Sequence, residues 1–399
     1  MKTIADQIKE ISENIHPSLI QIRRQLHQYP ELSGEEFGTS AFISHTLNEW
    51  GIDQRTGIAG TGIMAILRGK IPGNACVALR ADMDALPIDE QNEVEYCSKN
   101  PGIMHACGHD VHVSSLLGTI KILQQLSDEY PGIIKCIFQP SEEKYPGGAI
   151  RMMEDGILQN PEPLAIFGQH VCPSLPYGKV GFKPGKYMAS TDEIYITIKG
   201  RGGHAAIPHQ NIDPVIIGAQ ILVALQQLVS RESDPTIPTV LSFGKFVANG
   251  RTNIIPDEAH MEGTLRTFDE MWRHEIHSRI GRVVSNMAHA FGATCEVFID
   301  HGYPYLQNDE SLTQEAIKNA QEFLGNENVV ELDLRMTAED FAYYAQKIPG
   351  CFYRLGVATT NLPFPPLHSA HFDVDENCLL TGPALMAWLA LKKLNPSLK

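Results

Sequence analysis

The chain has 399 residues, which is too long for one small domain and indicates two or three, each large enough to bury a core. Its 32 Lys and Arg residues against 47 Asp and Glu residues give a formal net charge of −15, which argues against nucleic acid or an anionic membrane as partner. The 8 cysteines are scattered without any Cys-x-x-Cys pair, as is typical of a reduced, cytoplasmic protein rather than a disulfide scaffold.

The N-terminal segment, residues 1–28, alternates charged residues with isolated apolar ones. This pattern predicts an amphipathic helix and lacks the apolar stretch of a signal peptide. No stretch of the chain is expected to be long and apolar enough to span a bilayer. We therefore expect a soluble, cytoplasmic α/β protein.

Strands and helices alternate in the first part of the chain. Strands are predicted at residues 61–69, 76–84, 132–143 and 164–171, and a helix is predicted at 111–126. Apolar strands separated by helices predict a mostly parallel sheet that helices cover on both faces. Residues 176–190 are rich in Gly, Pro and Lys, which indicates a domain boundary there.

A different pattern follows that boundary. A strand near residues 191–200, a helix from Asp213, strands near 239–248 and 258–267, a helix from Asp269 and a last strand near 295–300 give the order β-α-β-β-α-β. This is the ferredoxin-like plan. We therefore predict an inserted domain at 186–300 within a catalytic domain formed by 1–185 and 301–399. Histidines 274, 277 and 289, at mixed spacing on the second helix, are expected to be solvated or capping residues.

Metal-competent side chains follow three predicted strands. Asp82 and Asp84 end one strand, Glu142 and Glu143 end the next, and His170 ends a third. The carboxyl ends of parallel strands share one edge of a sheet, where ligands gather. The sequence therefore predicts that these side chains converge.

The nine-residue stretch MHACGHDVH, residues 104–112, lies just before the predicted helix. Cys107 and His109 lie two apart in a glycine-containing turn, so both can face one divalent metal ion. The alternative is that Asp110 caps the helix and the histidines are solvated. Carboxylates and a histidine at neighbouring strand ends favour the metal site.

The adjacent acids Glu142 and Glu143 have two interpretations. They could be a charged strand end facing water. If one binds metal, the other can take a proton from the attacking water, which is the general-base role in metal-assisted hydrolysis. One ligand and one base is the simpler interpretation beside a metal site.

The motifs together resemble one family, the dinuclear metallohydrolases of the aminoacylase and carboxypeptidase type, in the branch of hippurate hydrolase and N-acyl-amino-acid amidohydrolases. The resemblance runs along nearly the whole chain, and the motifs stand in order as RRQLHQYPELSGEE, RADMDALP, MHACGHDVH, FQPSEE, GQHVCP, GRGGHAAIPH, NIIPDEAHMEGTLRTF, TAEDF and LHSAHFDVDE.

The resemblance implies two divalent metal ions per chain, as Zn²⁺, Mn²⁺ or Ni²⁺, with Glu142 as the general base. The implied metal ligands are Cys107 as a bridging thiolate, His109, Glu143, His170 and His368. Relatives outside this branch carry His-x-Asp where this chain has Arg80-Ala81-Asp82. Asp82 is therefore expected to support the ligands without binding metal.

The inserted domain is implied to be a lid and dimerisation domain, so that the chain forms a homodimer or a higher homo-oligomer. His204 would reach a substrate oxygen, and Asn253 and Arg266 are candidate contacts to substrate. A cationic Arg266 suits a substrate carboxylate. His204 could serve its own chain or the partner.

The predicted function is hydrolysis of the amide bond of N-acylated amino acids, hippurate-like or N-acetylated, to a carboxylic acid and a free amino acid. A metal-dependent dipeptidase or exopeptidase is the alternative within the class. Outside it stand a non-catalytic metal-binding protein and a nicotinamide-dependent enzyme based on Gly60 and Gly62 of GTGIMA, although a strand is predicted there where the dinucleotide fingerprint needs a helix.

Overall fold

The computed structural model describes residues 2–359 and 365–398. Within these residues the chain forms two compact units. The first runs to Tyr187 and resumes over Gln307–Leu334 and from Asp340, and the second comprises Met188–Leu306 and Arg335–Glu339. The predicted domain limits at residues 186 and 300 stay a prediction, because a compact unit is not yet a domain that folds by itself.

The helices, in chain order, are α1 (Ile4–Gln28), α2 (Phe37–Glu49), α3 (His109–Gln125), α4 (Gly148–Glu154), α5 (Pro214–Gln227), α6 (Glu270–Ala290), α7 (Glu310–Leu324), α8 (Ala342–Ala345) and α9 (Cys378–Leu394). The strands are β1 (Asp53–Ile58), β2 (Gly62–Arg68), β3 (Ile71–Asp82), β4 (Pro131–Gln139), β5 (Ala165–Pro176), β6 (Val180–Phe182), β7 (Gly185–Met188), β8 (Asp192–Lys199), β9 (Gly203–His204), β10 (Thr239–Val247), β11 (Ile254–Ile255), β12 (Glu258–Thr267), β13 (Thr294–His301), β14 (Leu306–Asn308), β15 (Val329–Glu331) and β16 (Gly350–Ala358).

The first unit is built on an eight-stranded sheet in the order β1-β2-β4-β3-β5-β16-β6-β15. Its four central strands, β4, β3, β5 and β16, are parallel to one another. β2 and β6 flank them antiparallel. The predicted α/β class with a mostly parallel sheet is confirmed, and the Gly- and Pro-rich stretch predicted as a domain boundary also contributes β6 to this sheet.

Both faces of this sheet are covered. Residues Ile134, Cys136 and Phe138 of β4 lie in the main core with Leu116 of α3 and Trp388 of α9. Successive side chains of a strand point to opposite faces, so the other side chains of these strands need a second cover. The helix α4 contacts β4, and α8 contacts β16.

Lys135 of β4 points away from the main core. It is fully buried, and its Nζ donates to the carbonyl oxygens of Ile157, Gln159 and Pro161, beyond α4. Three hydrogen bonds satisfy the ammonium group, which would otherwise be costly to bury.

The second unit contains a four-stranded antiparallel sheet in the order β10-β12-β8-β13, with α5 after β8 and α6 after β12. Ile194, Ile196 and Ile198 of β8 are buried against these helices, as their alternation predicts. The observed element order is the β-α-β-β-α-β plan, with the short strands β9 and β11 added.

The prediction that the histidines of α6 are solvated or capping is wrong for His277. It is buried, and its Nε2 lies 2.9 Å from Asp192 Oδ2. Arg273 binds the same carboxylate through two nitrogens. Asp192 is the first residue of β8 and lies on its buried face, so its charge needs these partners.

One segment departs from the expectation that no stretch could span a bilayer. Residues Pro214–Glu232, which include α5, are long and apolar enough by length and composition alone, and 33% of that window is buried within the chain. Ile217, Ile221 and Leu225 form its buried side, whereas Ile216 and Val223 are exposed.

Candidate metal centre and active site

The loop that carries Cys107 and His109 ends at the first turn of α3. Gly108 has φ +78°, and a Cβ atom there would come within 2.6 Å of a methyl carbon of Val171. Only glycine fits both the left-handed backbone and this close approach. The loop therefore lies directly against β5, next to His170.

Five predicted ligand side chains converge here in overlapping groups, namely Cys107, His109, Glu143, His170 and His368. Cys107 Sγ lies 3.4 Å from His170 Nε2, and Glu143 Oε1 lies 3.4 Å from His368 Nε2 and 3.8 Å from His109 Nε2. Two ligand atoms on one tetrahedral ion are separated by about 3.3 to 3.8 Å, given metal–ligand distances of about 2.0 to 2.3 Å.

Buried polar atoms without hydrogen-bond partners also support a metal site here. Both ring nitrogens of His109 and the Oε1 atom of Glu143 are buried without a hydrogen-bond partner among the described residues. Buried polar atoms normally have partners. Thiolate, imidazole and carboxylate are also the donors that Zn²⁺, Mn²⁺ or Ni²⁺ accepts. These residues fit metal ions, and the overlapping groups can hold two.

Burial shifts the pKa values of two of these donors, Cys107 and His170. Burial, followed by the charges of Glu143 and Glu142, raises the pKa of the Cys107 thiol well above its usual value. Burial, followed by the charge of Arg354, lowers the pKa of His170, which keeps that imidazole neutral. A bound metal ion would instead lower the pKa of this thiol, since metal coordination deprotonates a thiol.

His109 lies among carboxylates. Burial alone would lower its pKa, but Asp82, Asp84 and Glu143 outweigh burial and raise the pKa to about 10. Asp84 Oδ1 is 3.3 Å from His109 Nδ1. A carboxylate on that side leaves Nε2 to face the other donors, as in carboxylate–histidine–metal arrangements.

The sequence placed Asp84 among the metal-competent side chains at the strand ends but assigned it no specific contact. Its carboxylate accepts the backbone N–H groups of Glu142 at 3.0 Å and Glu143 at 2.9 Å, and also the hydroxyl of Ser33 at 2.6 Å. It therefore fixes the paired acids as well as His109. The spacing Asp82-Met83-Asp84, which puts both carboxylates on one side of the chain, is the signal that could have identified it.

His112 is the second residue that the sequence reasoning missed. Its Nδ1 bonds Asp82, and its Nε2 accepts the backbone N–H of Val171 at 2.9 Å. Both nitrogens are occupied, so His112 braces the strand that carries His170. Asp82 in turn bonds Arg80 and lies 3.8 Å from His109 Nε2, which agrees with a supporting role.

His368 is held in an unusual backbone conformation, with φ +62°. Its N–H donates to the carbonyl oxygen of Ala106, 2.9 Å away, which ties it to the residue before Cys107. Its side chain is 54% exposed, unlike the fully buried His109. Strained backbone of this kind concentrates at functional sites.

The substrate-contact candidates lie in the second unit. His204 is exposed on β9, its Nδ1 accepts the N–H of Ala206 at 3.0 Å, and Asn253 lies beside it because its carbonyl accepts the N–H of Ala205. Arg266 is on β12, half-buried, and makes no hydrogen bond or ion pair with any residue in the described parts of the chain. Burial lowers the pKa of its guanidinium.

The dinucleotide-binding alternative is wrong. Gly60 and Gly62 lead into the strand β2, whereas the fingerprint requires glycines at the start of a helix that binds the pyrophosphate.

His170, predicted to end a strand, instead lies within β5, and Cys107 and His109 come from the loop before α3 and its first turn. Beside this covered α/β sheet, cysteine, histidine and carboxylate donors form groups that can hold two metal ions, as in a dinuclear metallohydrolase. Residues 78–392 match the model of "Peptidase family M20/M25/M40". The chain belongs to this family. The resemblance predicted from the motifs is confirmed, and with it a metal-dependent hydrolase of linear amide bonds.

Individual relatives agree with the family. The chain is 44% identical over 306 residues to the N-acyl-L-amino acid amidohydrolase of Geobacillus stearothermophilus, covering 76% of this chain and 82% of that protein. It is 39% identical to thermostable carboxypeptidase 2 of Saccharolobus solfataricus, covering 98% of each. A crystal structure of a Bacillus subtilis dinuclear metal binding peptidase from the M20 family is similar with a TM-score of 0.82 and 36% identity, covering 96% of this chain and 99% of that one.

Proposed function

We propose that the chain hydrolyses the amide bond of N-acyl amino acids and releases a carboxylic acid and a free amino acid. The observation that carries the substrate class is Arg266, a half-buried guanidinium without an anionic partner among the described residues. An arginine in this state suits a substrate carboxylate, which it can bind through two parallel hydrogen bonds. The similarity to a protein named N-acyl-L-amino acid amidohydrolase supports the same substrate class.

In this proposal Cys107, His109, Glu143, His170 and His368 would hold two divalent ions. When bound, the ions polarise the scissile carbonyl and lower the pKa of water. Glu142 takes the proton of the attacking water and passes it to the leaving amine. The Asp84 carboxylate supports this role because it holds the N–H groups of both acids.

His204 is the proposed donor to the carbonyl oxygen as negative charge develops there, with Asn253 as a substrate contact beside it. His204 is exposed, and its Nδ1 accepts the N–H of Ala206. Nε2 is therefore the ring nitrogen that is left to donate to a substrate oxygen. Asp82 keeps its supporting role, braced by Arg80 and His112.

A matched pair of substrates tests the proposal. An N-acetyl amino acid and its C-terminal amide differ only in the carboxylate, so the wild type should prefer the acid. Arg266→Gln should lose about 10- to 150-fold in kcat/KM on the acid, since hydrogen bonds to charged groups contribute about 1.5 to 3 kcal/mol. On the amide it should lose little. Equal losses on both substrates would remove Arg266 from carboxylate recognition.

The donor set leaves Zn²⁺, Mn²⁺ and Ni²⁺ as candidates. Chelated protein reconstituted with each ion and assayed on one N-acetyl amino acid identifies the ion that supports turnover. Elemental analysis of the active protein should give about two ions per chain, since five ligand residues exceed the four of one tetrahedral ion. One ion in fully active protein would contradict the dinuclear arrangement.

An exopeptidase that releases a C-terminal residue is the second candidate. The relative named thermostable carboxypeptidase 2 favours it, and Arg266 would serve a peptide carboxylate equally well. The two candidates differ at the other end of the substrate. Faster cleavage of an N-acetyl amino acid than of a dipeptide with a free amine supports the amidohydrolase, and the reverse order supports the peptidase.

The second unit is proposed as the lid and dimerisation domain of a cytoplasmic homodimer or higher homo-oligomer. Among the described strands β10 pairs with β12 alone, and α5 exposes 57% of Ile216 and 72% of Val223. An open strand edge beside apolar residues suits a second copy of the chain. The net charge of −15 opposes nucleic acid and anionic membrane. Light scattering should give at least twice the mass of one chain.

A further inference from the structure

We propose that Glu36 is a positioning residue that holds the proposed base, Glu142, in place through the backbone of Ser141. The inference rests on the proposed function of Glu142. Glu36 belongs to the motif RRQLHQYPELSGEE, and neither the metal centre nor the substrate contacts gave Glu36 itself a role.

Glu36 is a fully buried acid at the start of α2, yet it does not cap that helix. Its Oε1 accepts the backbone N–H of Gly34 at 2.9 Å and of Ser141 at 2.8 Å, and its Oε2 accepts the hydroxyl of Thr61 at 2.7 Å. Backbone N–H groups can only donate, so this arrangement suits an ionised carboxylate. Hydrogen bonds to a charged acceptor are among the stronger ones.

Ser141 needs this support. It has φ +54°, a left-handed conformation that a residue with a side chain seldom adopts. Such conformations persist only where the surroundings fix them. Glu36 fixes the N–H of Ser141, and Gly148 donates to its carbonyl oxygen at 2.9 Å.

Three consecutive backbone N–H groups connect the position of Glu142 to Glu36 and Asp84. Glu36 binds that of residue 141, and Asp84 binds those of residues 142 and 143. Two buried carboxylates from different parts of the chain thus set the direction in which the paired acids leave β4. Asp84 also contacts His109, whereas the hydrogen bonds of Glu36 to the described residues involve no predicted metal ligand.

Glu31 is a matched control within the same motif. Its carboxylate accepts the N–H groups of Gly38 and Thr39 at the start of α2 and has no hydrogen bond to residues 141–143 among the described residues. Glu31→Ala removes a carboxylate that supports the backbone at the start of α2. It should lower stability while leaving kcat near that of the wild type.

The experiment compares Glu36→Ala, Glu36→Gln and Glu31→Ala in the metal-loaded protein with an N-acetyl amino acid. Glu36→Ala should lower kcat by about 100-fold with little change in KM, since a displacement near 1 Å at a catalytic group has an effect of that order. Glu36→Gln keeps one oxygen for Ser141 and should restore most of the activity. Deuterium exchange of a peptide covering residues 140–147 should be faster in Glu36→Ala than in the wild type or Glu31→Ala.

The Glu142→Gln background separates positioning from general destabilisation. If Glu36 acts through Glu142, adding Glu36→Ala there should cause no further loss of turnover. An equal loss in both backgrounds, or unchanged exchange of residues 140–147, overturns the proposal. Full activity of Glu142→Gln together with faster exchange in Glu36→Ala would instead reject Glu142 as the base and leave Glu36 as the residue that holds this loop.

Discussion

The candidate functional residues of the two compact units differ in burial and in the number of partners that the chain gives them. In the first, His109 and Glu142 are buried; Asp84 lies 3.3 Å from the imidazole of His109 and accepts the backbone N–H of Glu142. In the second, His204 is exposed and Arg266 has no ionic partner among the described residues. One set of side chains is held by the chain itself, and the other is left available.

This difference separates two tasks of a hydrolase. Donors that hold metal and a base that moves a proton must keep their geometry without substrate, and buried hydrogen bonds provide that order in advance. Groups that bind substrate gain from unsatisfied polar atoms, because substrate then supplies the missing partner. Changes in the first set should therefore alter metal content, turnover or stability, and changes in the second should alter the response to substrate.

The largest expected effect separates the paired acids. Glu142→Gln should retain both metal ions and the fold but lose about 10²- to 10⁴-fold in kcat, since the amide cannot accept the proton. Glu143→Gln should lose metal instead. Metal analysis alongside kcat checks both variants, and exchanged phenotypes would reverse the roles of ligand and base.

Arg23 tests how far the order of the first unit reaches from the metal. It is fully buried and bonds Asp110, the residue after His109, at 2.7 Å. Arg23→Gln removes the guanidinium from the buried Asp110, which keeps His27 as a partner, and should destabilise the fold by about 3 to 5 kcal/mol. Arg24, whose side chain is 42% exposed, pairs with Glu376, and Arg24→Gln should change stability by about 1 kcal/mol or less. Denaturant unfolding of both variants measures the difference.

His204→Ala tests the second unit. Loss of a donor to the developing oxyanion should lower kcat by about 10²- to 10³-fold, or about 2.7 to 4 kcal/mol, and leave metal content unchanged. An unaltered kcat would make His204 part of a surface turn only.

Co-expression of His204→Ala with Glu142→Gln then decides which chain His204 serves. If it completes the site of a partner chain, mixed dimers contain one site with both residues, and activity should recover to a fraction of the wild type. Mixed dimers without recovered activity would place His204 with the site of its own chain.

The smallest expected effect is a pH dependence at His27. Burial and the nearby Arg23 favour the neutral ring, but Asp110 and Glu90 outweigh them and raise the pKa of His27. The stabilisation is therefore fully present below the ordinary pKa of 6.5 and is lost as pH rises through the raised value. His27→Gln should flatten the pH dependence of the melting temperature above pH 6.5. An unchanged profile would show that His27 does not titrate in this range.

Local pattern predicted much of this molecule. Alternation along β8 identified its buried face, and donor chemistry identified Cys107, His109 and His170 as side chains that gather at one place. Partners that lie far apart in sequence could not be predicted. The sequence identified Asp84 as a metal-competent side chain. Its hydrogen bonds to Glu142 and Glu143 depend on the pairing of β3 with β4, which local pattern does not reveal. His277 was misjudged because helical spacing does not reveal a buried Asp192.

The contacts of Arg23 also bear on the order in which the protein can fold during synthesis. Arg23 is made 350 residues before Asp373, whose carboxylate its Nη2 atom bonds at 2.9 Å. Until that segment has left the ribosome, the cation and Asp110 lack part of their final surroundings, whereas most of the second unit is one continuous stretch, Met188–Leu306. Domains fold as units as the chain emerges. Proteolysis of ribosome-bound chains should therefore find residues 188–306 protected before α1, and protection of α1 first would contradict this order.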